Sequence, residues 1–538
     1  HGEGNAASRA VERALGAIEA RYRSLLRTTL ARPRITIGVA VLLLLVSLGL
    51  GRFLKFTFIP AQDMGLVQVA LEMPVGTPLD ETARELEAVA AQVRRRPGVI
   101  GTYATIGGGV QDTVNKGTIL VNLVPIGERT YNQQGFKEHL RETLAHPVQG
   151  KLSVLDYSAM QGGGAHQQQV QFNIRGDNWD DIRTAADKTL AYMKSIPGLA
   201  DVDSSYSSGK PQLSVRPDRE RAAGLGVPAA VAGMTLRTLL SGDKVAAYRE
   251  GGKSYDIKVS LPDEVLQDPG AIGSVTVRGG QGQLVEIRNV SRIEPSTGPA
   301  MIERQAQQRQ ITLLADLRDY SLGEALGTLS AYAKTHLPPT ITTDFEGMGR
   351  ELGNAMKSFM MALLLGVVLL YMILAAQFES LVDPFTIMLA LPLALIGAIL
   401  ALLVTGQFMS MFAMIGIIML MGLVAKNGIL LVEFTNQLRH EGKGTHEALL
   451  EAGPLRLRPI LMTTVAMIAG MVPVALARGD GAETRVPMAV TIIGGLITST
   501  LLTLVVIPSV YLLLDRLRGK RLWGDESVPT GVMQPAQD

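Results

Sequence analysis

The stretch LMGLVAKNGILLVEF, Leu420 to Phe434, places a lysine inside a segment that otherwise has the composition of a membrane-spanning helix. Together with the residues from Met409 onward, it is long enough to cross a bilayer, which takes about 20 apolar residues. A charged side chain near the middle of such a helix costs roughly 2.5–3.5 kcal/mol on insertion scales. We therefore expect Lys426 to have a function, because an apolar residue would fill a purely structural role at lower cost.

Five other segments are long and apolar enough to span a membrane. The six predicted spans cover residues 35–54, 358–376, 385–404, 409–434, 460–477 and 486–514. About 300 residues without such a span separate the first from the second, which predicts a large domain on one side of the membrane. Lysines and arginines are concentrated before the first span, between the fourth and fifth, and after the sixth. The positive-inside rule then predicts cytoplasmic termini, a cytoplasmic tail at 516–538 and an outer domain on the opposite side.

Residues 1–33 repeat apolar side chains at helical spacing, with arginines between them. This pattern predicts an amphipathic helix on the cytoplasmic side. Two placements fit it equally well: a helix lying on the inner membrane face, or a connector helix packed on protein. The first transmembrane span follows at 34–55, and the remaining five lie within 353–515.

The outer domain shows the same order of elements twice. Alternating apolar residues and helical periodicity predict a βαββαβ unit, the ferredoxin-like arrangement, over residues 56–160. A second unit is predicted from 161–218 and 303–352, interrupted by a glycine-rich segment of short strands at 219–302. The predicted fold is thus a six-helix membrane protein with a large α+β domain of two ferredoxin-like subdomains and an inserted β-rich subdomain.

The composition excludes several classes of function. The chain is 47% hydrophobic and 19% charged, which fits long apolar spans attached to a sizeable polar domain. A net charge of +2 gives no reason to expect a nucleic-acid partner, and the absence of cysteine excludes disulfides and thiolate chemistry. We find no pairing of a nucleophile with a base, no metal-ligand pattern and no phosphate-binding loop. We therefore predict neither an enzyme nor a cofactor.

Two polar residues fall at similar depths in neighbouring spans, and a third lies on the same helical face as one of them. Lys426 lies seven residues before Glu433, so about 10 Å inside that end of its span. Thr463 lies five residues after Arg458, at about 7–8 Å, and Arg456 is on the same helical face as Thr463. These positions predict a polar track of Lys426, Thr463 and Arg456, serving as a proton or ion relay.

A lysine paired with one carbonyl or carboxylate, as a packing clamp, is the structural alternative to a relay. A relay requires carboxylates at the same depth, and the interior of the six predicted spans contains no Asp or Glu. In the last span, small residues permit close packing and hydrogen bonds between helices; these are Gly494, Gly495, Thr498, Ser499 and Thr500.

Four motifs give the chain a resemblance to a known family. They are FIPAQDMG after the first span, YMILAAQFESLVDPFTIMLALPLALIGA across the second and third, GLVAKNGILLVEF, and LRLRPILMTT. In this order they resemble the C-terminal half of a resistance–nodulation–division (RND) efflux pump, spans seven to twelve with the second periplasmic domain. The resemblance is closest to the hydrophobe/amphiphile branch. The heavy-metal branch fits less well, because its segment around the lysine is patterned differently.

The resemblance implies a multi-pass transporter of the Gram-negative inner membrane, in contact with membrane lipid. Such pumps form homotrimers with a periplasmic adaptor protein and an outer-membrane channel, and they export small amphiphilic compounds in exchange for protons. The resemblance assigns Lys426, Asn427, Arg456 and Thr463 to the proton relay. It places their partners, a pair of aspartates, in an N-terminal half that this sequence does not contain.

The substrate-binding residues are predicted less directly. The segment TIGGGVQDTVNKG has Gly107, Gly108 and Gly109 where relatives with aromatic drug pockets carry phenylalanines. These glycines form either a mobile connector or a loop that gates substrate. The resemblance implies that the two ferredoxin-like subdomains are porter subdomains and that the inserted β-rich segment is a docking subdomain. Gln68, Lys210 and residues 161–168 are candidates for lining the cleft between the porter subdomains. A rival to transport is a membrane-anchored export or scaffold factor whose outer domain binds protein.

Overall fold

The computed structural model describes residues 6–107, 113–144, 150–157, 168–206, 210–266, 268, 270–298, 301–318, 320–477 and 479–518. The helices are α1 (Ala6–Ala31), α2 (Pro33–Leu50), α3 (Leu79–Arg94), α4 (Gln133–Thr143), α5 (Trp179–Lys194), α6 (Arg219–Gly224), α7 (Ala229–Arg237), α8 (Asp263–Leu266), α9 (Ile287–Val290), α10 (Leu322–His336), α11 (Met348–Phe378), α12 (Val382–Met388), α13 (Ala390–Thr405), α14 (Met411–His440), α15 (Thr445–Ala475) and α16 (Ala482–Arg518). The strands are β1 (Leu66–Glu72), β2 (Val99–Ile106), β3 (Lys116–Leu123), β4 (Lys151–Asp156), β5 (Val170–Gly176), β6 (Leu199–Ser204), β7 (Lys210–Pro217), β8 (Asp243–Glu250), β9 (Lys253–Val259), β10 (Thr276–Arg278), β11 (Leu284–Glu286), β12 (Ser291–Gly298), β13 (Glu303–Gln305), β14 (Gln308–Leu317) and β15 (Thr342–Glu346).

The predicted membrane-spanning segments are confirmed, because the described part of the chain contains six helices that are long and apolar enough to cross a membrane. Two of them begin well before the predicted spans: α11 at Met348 rather than 358, and α15 at Thr445 rather than 460. Hydropathy detects only the apolar part of a helix, whereas backbone hydrogen bonding continues into its polar turns. Between α14 and α15, Gly442 adopts φ +93°, a left-handed conformation that glycine adopts without strain.

Helices α13, α14 and α16 form the centre of the membrane region. About half of the most apolar stretch of each is buried inside the protein, against 6% for α11, which has most of its surface free for lipid. The tightest approach is between α13 and α16, where Gly397 lies against Gly494. A Cβ added to Gly397 would overlap the carbonyl oxygen of Gly494 and the Thr498 hydroxyl, so glycine is required at this crossing.

Helix α1 packs on protein, as in the second of the two predicted placements. Leu26 and Leu30 are fully buried in the core of the membrane region. The Tyr22 hydroxyl donates a 2.8 Å hydrogen bond to the carbonyl oxygen of Leu504 in α16. Arg458 in α15 forms a 3.0 Å ion pair with Glu19. The apolar stripe of α1 is thus covered by α15 and α16.

Both ferredoxin-like subdomains are confirmed by their sheet topology. The first sheet has the strand order β2-β3-β1-β4, and the second has β15-β5-β14-β6, with β13 joined to β14 as a hairpin. All the pairings are antiparallel. In the first, Val67 and Val69 on β1 face α3 and α4, and in the second, Phe172 and Ile174 face α5 and α10. The alternating pattern arises because successive side chains of a strand point to opposite faces.

The inserted segment is connected through a two-stranded ribbon. Strand β7 pairs with β12 along its whole length, from Lys210 opposite Gly298 to Pro217 opposite Ser291. Between these strands lie α6, α7, the β8–β9 hairpin and the β10–β11 hairpin. A separate apolar core that includes Val277, Val285 and Ile287 holds this β-rich subdomain together.

Candidate functional site

Lys426 lies on the exposed face of α14. Its neighbours on that face are Met419, Gly422 and Glu433, all of them exposed, whereas Val424 on the opposite face is fully buried. Within the described residues, the Lys426 ammonium group forms no ion pair or hydrogen bond. An unpaired charge within a membrane helix is costly.

Asn427, the next residue, faces the interior and connects three spans. Its Nδ2 donates a 3.4 Å hydrogen bond to Thr500 Oγ1 in α16. The Thr500 hydroxyl lies 3.1 Å from the Thr464 hydroxyl in α15. Asn427 is 1% exposed, and its Oδ1 has no hydrogen-bond partner among the described residues. The chain Asn427–Thr500–Thr464 therefore ties α14, α16 and α15 together beside Lys426.

Thr463 and Arg456 are close to this region but are not joined to Lys426. Thr463 is half-buried, and its hydroxyl donates to the Ile460 carbonyl oxygen of its own helix at 3.0 Å. The Arg456 guanidinium carbon lies 4.4 Å from the centre of the Phe434 ring in α14, a cation–π contact. The described residues show no hydrogen bond among Lys426, Thr463 and Arg456, so their shared polar track remains a prediction.

A second polar cluster joins α12, α14 and α16. Asp383 in α12 is 6% exposed and accepts a 3.1 Å hydrogen bond from Asn436 Nδ2. The Tyr511 hydroxyl donates to Asn436 Oδ1 and accepts from Arg439 at 2.8 Å, and Arg439 pairs with Asp515 at 2.9 Å. The sequence does not identify Asp383 as part of a site, because the predicted third span begins at 385, two residues after it. Helix α12 begins at Val382, so Asp383 belongs to its first turn, and the side chain of Asp383 is buried.

Gln68 lies on the face of the first sheet opposite to its helices. In register it is paired with Leu120 of β3 and Leu155 of β4, and Leu120 is paired with Tyr103 of β2. Side chains directly opposite each other in an antiparallel pair are on the same face. Gln68 is therefore in a row with three apolar or aromatic side chains, of which Tyr103 is 68% exposed.

The other predicted substrate residues are separated from this row. Gly107 follows β2 directly, with φ +74°, whereas Gly108 and Gly109 are outside the described residues, as are positions 161–167. Lys210 is the first residue of β7, at the start of the ribbon to the inserted subdomain. Its side chain is also outside the described part of the chain. Within that part, Gln68 and Gly107 are on one subdomain and Lys210 begins the connection from the other.

The whole arrangement is shared with known transport proteins. Residues 1–515 match the AcrB/AcrD/AcrF family. Two crystal forms of a heavy metal efflux pump have the same fold over 94% of this chain, with TM-scores of 0.80 and 0.79 and sequence identities of 26% and 25%. The match covers 53% and 52% of those chains, so this chain spans about half the length of the pump that it matches. It belongs to the AcrB/AcrD/AcrF family of RND efflux transporters.

Proposed function

We propose that this chain is the C-terminal half of a proton-driven RND pump that exports hydrophobic or amphiphilic compounds. The observation that carries the proposal is the position of Lys426, an ammonium group on the exposed face of a membrane-spanning helix. A second half with an aspartate pair at the same depth would pair with that charge. The half-length match to the heavy metal pump supports a missing half.

In this mechanism the aspartates of the other half take up and release protons in turn. Lys426 pairs with them when they are ionised and is released when they are protonated. Asn427, Arg456 and Thr463 support the lysine from α14 and α15. A proton that crosses a potential of 100 mV supplies about 2.3 kcal/mol, and equilibria between two conformations a few kcal/mol apart respond to free energies of this size.

The fold supplies direct mechanical connections from the spans to the outer domain. The backbone N–H of Met409, just before α14, donates to the Lys55 carbonyl oxygen at 2.9 Å, and its carbonyl accepts from Thr57 N at 3.1 Å. These bonds tie the start of the lysine helix to the segment that leads into the first sheet. At the other side, α11 follows β15 of the second sheet with only Gly347 between them. We expect a tilt of α14 to be transmitted to the first porter subdomain and a tilt of α11 to the second.

The face of the first sheet that lies opposite to its helices favours amphiphilic substrates, since Tyr103 is exposed there, whereas Gln68 and Leu155 in the same row are buried. Its row of Gln68, Leu120, Leu155 and Tyr103 combines an amide with apolar and aromatic surface, as small-molecule sites commonly do. Heavy-metal export is the second candidate, and the solved structures of a heavy metal efflux pump favour it. In either case we propose a homotrimer in a Gram-negative inner membrane, working with an adaptor protein and an outer-membrane channel.

Efflux measurements on the complete pump test the proposal. The chain is produced with its partner half in an efflux-deficient Gram-negative strain, and export of a fluorescent amphiphilic dye is followed with and without a protonophore. Dye efflux that stops on uncoupling is the expected result. If the pump instead gives the cells tolerance to Cu⁺, Ag⁺ or Zn²⁺ that the protonophore abolishes, and exports no dye, the result would favour heavy-metal export. An assembled pump that exports neither the dye nor metal ions would contradict a transport function and favour the scaffold role.

A further inference from the structure

Packing on protein leaves both flanks of helix α1 largely exposed. The buried stripe of this helix consists of Tyr22, Leu26 and Leu30. Neighbouring residues on an α-helix are about 100° apart, so the residues that precede the stripe lie on one flank and those that follow it lie on the other. The first flank contains Arg21, Leu25 and Thr29, and the second contains Arg23 and Arg27.

The first flank faces the membrane-spanning helix α2. The Thr29 carbonyl oxygen accepts a 3.4 Å hydrogen bond from the Thr36 hydroxyl of α2. Residues three or four apart share one face of a helix, so Leu25, Arg21 and Ile18 continue the row that begins at Thr29. Ile18 is 44% exposed and Leu25 is 50% exposed. Arg21 is thus placed between two exposed apolar side chains on the side of α1 that adjoins α2.

Positive charge is concentrated where α1 meets α2. Residues 15–34 include a single acidic residue, Glu19, and five arginines, which are Arg21, Arg23, Arg27, Arg32 and Arg34. All five arginines are exposed, and within the described part of the chain their guanidinium groups form no ion pair or hydrogen bond. Glu19 is paired with Arg458 of α15. The described residues therefore leave this positive charge without a counter-charge.

The outer surface of α2 continues from these arginines as an apolar strip. Four residues at helical spacing form this α2 strip, and they are Ile35, Val39, Leu42 and Val46. Each of them is 51–60% exposed. On the other side of α2, Ala40 is buried against α13 and α16. Basic residues at the end of an exposed apolar strip match the two parts of a phospholipid, which are a headgroup and acyl chains.

The missing half of the pump is the other occupant that an apolar strip would fit. Helix α16 separates α2 from the lysine helix α14, because Val506 and Val510 of α16 pack beside α2, whereas Leu504 and Ile507 belong to the core shared with α14. The α2 strip therefore lies apart from the face of Lys426, where we propose that the second half docks. Charge favours lipid, since basic clusters next to a membrane span attract anionic headgroups.

We propose that the first flank of α1 and the start of α2 form a binding surface for anionic phospholipids of the leaflet on the predicted cytoplasmic side. Arg21 binds one headgroup, and Ile18 and Leu25 enter the boundary between headgroups and acyl chains, as apolar residues of interfacial helices do. Arg32 and Arg34 bind a second headgroup, whose acyl chains lie along the α2 strip. The two positions are separate, because the helix from Arg21 to Arg32 is about 16 Å long. The planar guanidinium group suits phosphate, since it donates paired hydrogen bonds.

Tryptophan fluorescence of the complete pump in lipid vesicles tests this surface. Leu25→Trp places a reporter one helical turn from Arg21, and lipids with brominated acyl chains quench an indole that they contact. Quenching by brominated phosphatidylglycerol is compared with quenching by brominated phosphatidylcholine, after subtraction of the signal of the two native tryptophans. We expect phosphatidylglycerol to be preferred about fivefold, which is the effect of one arginine near a membrane surface.

Val39→Trp, on the α2 strip, is the control for insertion, and both lipids should quench it. If neither lipid quenches Leu25→Trp while both quench Val39→Trp, the first flank does not contact lipid and the proposal is overturned. Equal quenching of Leu25→Trp by the two lipids would show contact without selection for charge, and would also overturn it.

Two matched variants assign the preference to one flank. Arg21→Gln and Arg23→Gln each remove one exposed charge next to Tyr22, but on opposite flanks of α1. In the Leu25→Trp background, Arg21→Gln should reduce the preference about fivefold, whereas Arg23→Gln should change it by less than about twofold. Arg21→Lys keeps the charge and should retain most of the preference. Equal losses in Arg21→Gln and Arg23→Gln would contradict the proposal, because the lipid would then respond to the net charge of the helix and not to the first flank.

Discussion

Asn427 donates a hydrogen bond to Thr500 across the interface of α14 and α16, while the adjacent Lys426 points out of the same helix on its exposed face. Neighbouring residues on an α-helix are separated by about 100°, so one position faces the interior and the next faces the outside of the chain. The polar residues of the AKN motif thus have different tasks: Asn427 holds α14 in place and Lys426 presents a charge.

Replacing Lys426 in the complete pump should abolish efflux without loss of protein. Lys426→Ala removes the charge that we propose pairs with carboxylates of the other half. Lys426→Arg should also impair efflux, because the planar guanidinium group binds a carboxylate in a two-pronged geometry that differs from that of the compact lysine ammonium group. Dye efflux normalised to protein level measures the effect of each substitution. Gln437→Ala, an exposed position further along α14, is the control and should transport normally. Wild-type efflux from Lys426→Ala would rule out a relay through this residue.

Thr500→Val should weaken the packing of α14, α15 and α16. The substitution leaves Asn427 without its acceptor and Thr464 without its partner. Hydrogen bonds between membrane helices contribute about 0.6 kcal/mol on average and up to about 1.7, so we expect a loss of about 1 kcal/mol in SDS-induced unfolding. Thr491→Val is the matched control, since among the described residues its buried hydroxyl bonds to the Pro487 carbonyl of its own helix and to no other helix. Equal losses in both variants would show that the contact between helices contributes nothing.

Gly397→Ala should disrupt the crossing of α13 and α16. The added methyl group overlaps the Gly494 carbonyl and the Thr498 hydroxyl. Overpacking of this kind costs about 1–3 kcal/mol, visible as lower resistance to SDS and reduced membrane yield. Gly470→Ala in α15 is the control, because a Cβ there has nothing within 4 Å. A Gly397→Ala chain as stable as wild type would mean that the two helices can separate freely.

Asp63→Asn should destabilise the first subdomain. Asp63, in the FIPAQDMG motif, pairs with the buried Arg129 at 2.7 Å and accepts from the Gln133 N–H at the start of α4 at 2.8 Å. Removing one partner of a buried pair costs about 3–5 kcal/mol, because the other charge stays desolvated. Arg94→Gln breaks the exposed pair with Glu87 and should change stability by less than about 1 kcal/mol. Thermal unfolding of the full chain compares the two, and similar midpoints would contradict a structural role for Asp63.

The sequence was sufficient to predict the helices and strands but not the side-chain contacts between them. The six spans and both βαββαβ units follow from local patterns, because the spacing of apolar residues indicates which side of a helix or strand is buried. Thr463 and Thr464 show the limit of such patterns. Both are threonines at nearly the same depth, and only the rotation of α15 against α16 decides that Thr464 contacts Thr500 while Thr463 bonds to its own helix.

The sequence by itself determined that a lysine sits within a membrane helix and that two ferredoxin-like subdomains flank a β-rich insertion. Only the tertiary structure decided that Lys426 faces outward and that Arg141 meets Asp201 and Asp316, which are 60 and 175 residues away along the chain. The physical reason is the range of the forces. Hydrophobic periodicity and turn chemistry act over a few residues, whereas the direction of a charge and its partner depend on how distant elements pack.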